Sequence, residues 1–62
     1  MNSMQARVLQ VLTKPTQTKS KQSWYVNVRY QLTDTIGSGE VVLPFLTERH
    51  ANTVKVGYIF NL

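Results

Sequence analysis

The sequence has no cysteine, a single histidine and only three acidic residues among 62. The lack of cysteine excludes disulfides, and His50, Asp34, Glu40 and Glu48 have none of the spacings of a metal site. A catalytic nucleophile also needs a base within hydrogen-bonding distance, and these residues offer little material for one. The composition therefore predicts a protein that is not an enzyme and that uses no metal, cofactor or small-molecule substrate.

Long apolar runs are missing as well. No segment approaches the ~20 apolar residues that span a membrane, and the N-terminal residues lack the apolar stretch of a signal peptide. We therefore expect a cytoplasmic protein without a membrane partner. A chain of 62 residues forms one domain, residues 1–62, and buries only about 60% of its unfolded surface. Such a thin core, without cross-links, favours a homodimer or a higher oligomer.

Acidic residues are absent from the first half of the chain. Residues 1–31 carry five basic side chains and no acid, whereas residues 32–62 carry two basic and three acidic side chains. The halves therefore have charges of +5 and −1, which sum to the +4 of the whole chain. A basic half suggests a polyanionic partner, most simply a nucleic acid. The alternative is that the lysines only keep a small protein soluble.

Four runs have the composition of β-strands, and no window keeps a helical apolar period over ten residues. The runs are Met4–Thr13, Ser23–Thr33, Glu40–Leu46 and Thr53–Phe60. The mixed apolar period of the first run predicts a strand that is bent or buried on parts of both faces. Together the runs predict a small antiparallel all-β domain with little or no helix, which curls into a partial barrel or pairs with another chain.

The segments between these runs carry turn signals. Residues 14–23 are almost entirely polar and predict a flexible basic loop. The two glycines of Asp34–Gly39 predict a tight turn. Pro44 cannot donate to a ladder and therefore belongs at a sheet edge or a bulge, whereas Gly57 indicates a bulge or a close backbone approach. Thr47–Thr53 is expected to be a loop or one helical turn capped by Thr47.

The run Ser23–Thr33 alternates strictly between two faces. One face carries Trp24, Val26, Val28, Tyr30 and Leu32, and the other carries Tyr25, Asn27, Arg29 and Gln31. Side chains two apart on a strand lie ~6.7 Å from each other, so a ring can stack on a base while a guanidinium contacts a phosphate. The alternative is an ordinary solvent-exposed face with one tyrosine. Trp24 is in phase with the apolar residues and is expected in the core or an interface.

The candidate nucleic-acid-binding residues are Arg7, Lys14, Lys19, Lys21, Trp24, Tyr25, Asn27 and Arg29. The cations would neutralise phosphates and Tyr25 would stack, with Trp24 as an assisting ring. Nothing here reads base edges, so the predicted function is single-stranded nucleic-acid binding, most simply of DNA, with low sequence specificity. The alternatives are a small β-barrel module that forms oligomers or pairs with a partner's edge strand, and a β-sheet regulator of duplex DNA.

Three segments in this order, "SKQSWYVNVRYQL", "GEVVLPFL" and "VKVGYIF", resemble the small OB-fold single-strand-binding proteins. Within that group the chain looks most like the filamentous-phage helix-destabilising proteins, over about Arg7 to Phe60. The resemblance implies an OB-like barrel, a role in phage DNA replication and a location in the host cytoplasm.

Carried over by position, the resemblance implies that Lys19, Lys21 and Tyr25 lie at the DNA-facing loop and strand, with Arg29 further along the groove. Two features depart from the family pattern. The loop lacks the usual glycine before its aromatic residue, and the chain has four strand-like runs where an OB barrel has five strands. The barrel is therefore expected to be abbreviated, completed by a partner chain, or of another small type.

Overall fold

The computed structural model describes residues 4–62. Its elements in chain order are β1 (Gln5–Val11), β2 (Thr16–Gln17), β3 (Trp24–Leu32), β4 (Ser38–Phe45), α1 (Glu48–Ala51) and β5 (Ile59–Asn61). All strand pairs are antiparallel, so the predicted all-β class with little helix is confirmed. No helix in the described part of the chain has the length and apolar composition to cross a membrane.

Strand β3 is the centre of the sheet. Along one side it pairs with β4 over its length, from Trp24 opposite Phe45 to Gln31 opposite Ser38. Along its other side it pairs with β1 towards its C-terminal end and with β2 at its first two residues. β5 then pairs with the far side of β1. Within residues 4–62 the sheet stays open, because β4 and β5 each keep one edge without a paired strand.

A bulge bends β1, as its mixed apolar period predicts. The register with β3 shifts between Val8 and Gln10, so Leu9 has no partner on the neighbouring strand. Without the extra residue, Val8 and Val11 would lie on opposite faces, since side chains alternate along a strand. With it, Val8 is fully buried and Val11 packs against the same core.

The core is thin and made of small side chains. Its buried hydrophobic residues are Ala6, Val8, Val26, Val28, Ala51 and Val54. A partly buried layer packs against this cluster: Val11, Trp24, Val41, Leu43, Phe45, Tyr58 and Phe60. Trp24, Tyr58 and Phe60 therefore lie on the apolar side, as the alternation of their runs predicts. The chain from α1 to Val54 covers this side of the sheet.

The connectors follow the sequence signals closely. The turn after β3 ends earlier than expected, because β4 begins at Ser38 rather than Glu40. Pro44 lies on β4, which is an edge strand, as predicted. The Thr47–Thr53 connector contains a single helical turn, and the Thr47 Oγ1 accepts a hydrogen bond from the His50 backbone N at 3.1 Å.

The prediction of a last strand over Thr53–Phe60 is wrong for most of that run. Strand β5 covers only Ile59–Asn61, and Val56, expected on the apolar face, is 68% exposed. The cause is Gly57, whose φ of 96° takes the chain out of the extended conformation. A turn forms there, with the Tyr58 N donating to the Lys55 O, and the Gly57 N donates to the Val8 O, both at 2.9 Å.

The predicted basic loop, residues 14–23, contains a short strand that the sequence did not indicate. Thr16–Gln17 pairs with the start of β3, where β1 has already ended and the β3 backbone offers free partners. The tip is a hydrogen-bonded turn in which the Thr18 N donates to the Ser23 O at 2.9 Å, and Lys21 has a positive φ of 60°. The basic segment is therefore a β-hairpin arm, and its flexibility stays a prediction.

Candidate nucleic-acid interface

The face of the sheet turned away from the core is called the outer face below. On β3 it carries Tyr25, Asn27, Arg29 and Gln31, because the alternating residues Val26 and Val28 are buried. On β4 the residues directly opposite these four are Pro44, Val42, Glu40 and Ser38. The polar row expected from the sequence thus lies on one face, and β4 adds a carboxylate and two apolar side chains beside it.

Arg29 is held by an ion pair that the sequence analysis missed. Its Nη2 donates to the Glu40 Oε2 at 2.9 Å, and the two side chains remain 50% and 58% exposed. An exposed pair of this kind contributes only about 0–1 kcal/mol. The guanidinium is therefore oriented across the outer face and can exchange its carboxylate partner for another oxyanion.

Tyr25 and Asn27 are half-buried rather than fully exposed. Asn27 lies in a shallow cleft that it shares with Leu12, Glu40, Val41 and Val42. The Asn27 Oδ1 is buried and has no hydrogen-bond partner among the described residues. Tyr25 and Asn27 are therefore both only partly accessible to a ligand.

Arg7 extends the outer face onto β1. It is exposed and lies directly opposite Gln31, which places both side chains on the same face. The two residues line a cleft of about 210 Å³ with Leu9, Leu32, Thr33 and Thr35. A second guanidinium thus lies at the Gln31 end of the row.

The three candidate lysines lie towards the opposite end. Lys19 and Lys21 are exposed at the tip of the β2–β3 hairpin, which leads directly into Tyr25. Lys14 is exposed in the connector between β1 and β2, and its carbonyl oxygen accepts a hydrogen bond from the Thr16 Oγ1 at 2.9 Å. The predicted cations therefore lie at both ends of the row and within it.

An aromatic cleft that the sequence pattern did not predict lies at the end of β4. The ring of His50, an exposed residue, lies 4.9 Å from the ring of Phe45. Tyr58 packs edge-on against Phe45 at 6.5 Å. With Ser23, Pro44 and Leu46 these rings line a cleft of about 410 Å³. No periodicity indicates it, because its residues come from separate segments.

Within residues 4–62 no three histidine, cysteine, aspartate or glutamate side chains converge as a metal site. Compared with known proteins, the chain matches no protein-family model, no curated protein and no solved structure.

Proposed function

We propose that this chain binds single-stranded nucleic acid, most simply single-stranded DNA, without catalysis and with low sequence specificity. The observation that supports the proposal best is the composition of the outer face. There, Tyr25 and Arg29 lie in one row on β3, with Arg7 at one end and the lysines of the hairpin at the other. An aromatic ring flanked by cations on an open sheet is the combination that binds unpaired bases and their phosphates.

The dimensions of the row suit an extended strand. From Tyr25 to Gln31 the row spans six residue steps, or roughly 20 Å at about 3.3 Å per residue. Cations spaced along such a path neutralise successive phosphates, and each neutralised phosphate releases condensed counterions. The binding energy then comes mainly from the backbone of the nucleic acid, which accounts for the low specificity.

Arg29 would bind phosphate by exchanging partners. In the free protein its guanidinium already donates to a carboxylate oxygen, that of Glu40 at 2.9 Å. A phosphate group of the nucleic acid presents the same kind of negatively charged oxygen acceptor. Because the existing pair is exposed, its loss costs little, about 0–1 kcal/mol.

The order of the strands is similar to that of an OB-fold. OB-folds bind oligonucleotides across the face of their second and third strands, and β3 and β4 are the second and third long strands of this chain. The α1 turn follows β4, and β5 returns to β1. We therefore interpret the sheet as an OB-like arrangement without a closing strand. A fold shared by analogy does not establish function by itself, so the outer face carries the proposal.

A protein-interaction module is the second candidate, and the unpaired edge of β4 favours it. An extended segment of a partner can add a strand to such an edge. Salt separates the two candidates. Phosphate neutralisation weakens steeply as salt rises, whereas backbone pairing at an edge hardly responds.

The proposal is tested by titrating the full chain into fluorescently labelled oligonucleotides at two salt concentrations. The probes are single-stranded and duplex DNA of one sequence, a second single strand of scrambled sequence, and the matching RNA strand. We expect tighter binding to both single strands than to the duplex, with affinity falling as salt rises. Absence of binding at low salt, or tighter binding to the duplex than to either single strand, would overturn the proposal. The RNA arm decides between the two nucleic acids.

A further inference from the structure

The open edge of β4 is the longest unpaired strand edge in the described structure. β4 has eight residues, against three for β5 and two for β2, the other strands with an unpaired edge. An exposed strand of this length is a template for pairing with another chain. From its hydrogen-bonding groups we infer that β4 pairs antiparallel with β4 of a second copy of this chain, in a register centred on Val41.

The groups at this edge follow from the β3–β4 register. The Leu32 N donates to the Gly37 O at 2.8 Å, and the pairing continues without a shift to Trp24 opposite Phe45. Hydrogen-bonded and non-hydrogen-bonded pairs alternate in an antiparallel ladder. The backbone groups that point to the open edge therefore belong to Ser38, Glu40, Val42 and Pro44.

The Asn27 backbone confirms this phase. Asn27 lies opposite Val42, yet its N donates to the Thr13 Oγ1 at 3.0 Å and its O accepts from the Leu12 N at 2.8 Å. Both backbone groups of Asn27 thus point away from β4, which leaves those of Val42 free for the open edge. Proline has no N–H, so Pro44 offers only an acceptor there.

A two-fold axis at Val41 satisfies every donor of the edge. Ser38 then lies opposite Pro44 of the second copy, and Glu40 lies opposite Val42. The Ser38 N–H then donates to the Pro44 carbonyl oxygen of the second copy. The Glu40 N–H donates to the Val42 carbonyl oxygen, and the Val42 N–H donates to the Glu40 carbonyl oxygen. Pro44 is placed where its missing N–H leaves only the Ser38 carbonyl without a partner.

The neighbouring registers are poorer. An axis at Glu40 sets the two Glu40 carboxylates directly opposite each other, and like charges in that position are destabilising. An axis at Val42 sends the Ser38 N–H past the end of the strand, opposite Leu46. Charge therefore excludes the axis at Glu40, and the count of satisfied donors excludes the axis at Val42, which leaves the register centred on Val41.

A separate observation selects the same register. Ile36 and Leu46 are the most exposed large hydrophobic residues of the described chain, at 94% and 83%, and they lie just beyond the two ends of β4. An axis at Val41 places Ile36 of one copy opposite Leu46 of the other at both ends of the paired strands. An axis at Glu40 would instead place Leu46 opposite Asp34, and one at Val42 would place Ile36 opposite Glu48.

The inference concerns assembly and stands whatever the outer face binds. It closes the β4 edge, joins the two sheets into one, and makes their outer faces continuous. The two β3 rows would then lie three inter-strand spacings apart, roughly 14 Å.

Sedimentation of variants with charges introduced at Ile36 and Leu46 tests whether the partner of β4 is a second copy of the chain. We expect Ile36→Lys or Leu46→Glu alone to weaken the dimer at least tenfold, and the double variant to recover most of the loss. Ile36 and Leu46 lie at opposite ends of one strand, so the rescue can only act between copies. Val56→Lys, at a site 68% exposed outside β4, is the control and leaves the dimer unchanged. A wild-type chain that stays monomeric at millimolar concentration, or a double variant without recovery, overturns the inference.

Cysteine cross-linking tests the register, since the chain contains no cysteine. Hydrogen-bonded antiparallel partners have Cα atoms about 5.5 Å apart, which suits a disulfide. We expect a mixture of Glu40→Cys and Val42→Cys chains to form the mixed cross-linked dimer on mild oxidation. Predominant cross-linking of Glu40→Cys alone or Val42→Cys alone would place the axis at that residue and overturn the proposed register. Cross-linking no faster than that of a Val56→Cys control would overturn the pairing itself.

Discussion

At the residue scale, Glu40 shapes what Arg29 can do. The carboxylate lies 2.9 Å from the guanidinium, where a phosphate oxygen would have to bind. We expect Glu40→Gln to strengthen single-strand binding about two- to fivefold, in line with the about 0–1 kcal/mol of an exposed ion pair. Glu48→Gln makes the same charge change on α1 and is the matched control. Equal effects of the two substitutions would mean that net charge, rather than competition at Arg29, is responsible.

The loss of Tyr25 and the loss of Arg29 are expected to weaken single-strand binding in different ways. Removal of Arg29 as Arg29→Ala loses a phosphate contact, so the slope of log affinity against log salt falls by about 0.7. Removal of Tyr25 as Tyr25→Ala loses stacking, worth roughly 1–3 kcal/mol, and leaves the slope nearly unchanged. Fluorescence titrations over a salt series measure both quantities.

The matched control for Arg29→Ala is Arg49→Ala, an exposed cation on α1. It removes the same charge away from the outer face and should leave the salt slope nearly intact. If Tyr25→Ala binds as the wild type does while circular dichroism shows an intact fold, the outer face is only solvated and the interaction module becomes the better interpretation.

Trp24 belongs to the packing of the domain. It is half-buried against the core cluster, and removal of a large aromatic core side chain costs roughly 3–5 kcal/mol. We expect Trp24→Ala to lower the free energy of unfolding by about 3 kcal/mol, the lower end of that range. Denaturant titration measures the change. A Trp24→Ala chain of wild-type stability but weakened oligonucleotide binding would reassign Trp24 to the interface.

At the element scale, the hairpin of β2 and β3 combines an ordered base with a basic tip. The base is held by two residue pairs, Thr16 with Tyr25 and Gln17 with Trp24, whereas Lys19 and Lys21 are exposed at the tip. We expect the tip, residues 18–23, to have lower backbone order parameters than β3 in the free protein and to gain order when a single strand binds. NMR relaxation with and without an oligonucleotide measures this. A tip as rigid as β3 in the free protein would contradict the prediction.

At the scale of the whole molecule, stability should depend on protein concentration. Within residues 4–62 the buried core consists only of alanine and valine side chains, and the β4 edge is unpaired. Because association stabilises the native state by mass action, we expect the thermal midpoint to rise with protein concentration. Scanning calorimetry over a hundredfold concentration range measures it. A constant midpoint together with a monomeric mass would contradict the prediction.

The central strand and its two faces follow from the residue pattern alone. In Ser23–Thr33 the alternation of apolar and polar residues has the period of the pleat, so one pattern gives both the strand and its outer row. The edge position of Pro44 and the helix cap at Thr47 could also be predicted. Each depends on the hydrogen bonds that a single residue can or cannot make. These features are local, and local chemistry decides them.

The neighbours of these residues depend on contacts between distant segments. The pairing of Arg29 with Glu40 depends on the register after the turn, and a slip of one residue would have sent every β4 side chain to the other face. The exposure of Val56 depends on the positive φ of Gly57, which overrides an apparently regular strand pattern. The short β2 forms because the pairing of β1 with β3 ends at Val28. The first residues of β3 are therefore left without a neighbour on that side. Each outcome depends on how distant segments meet, which a periodicity within one segment does not encode.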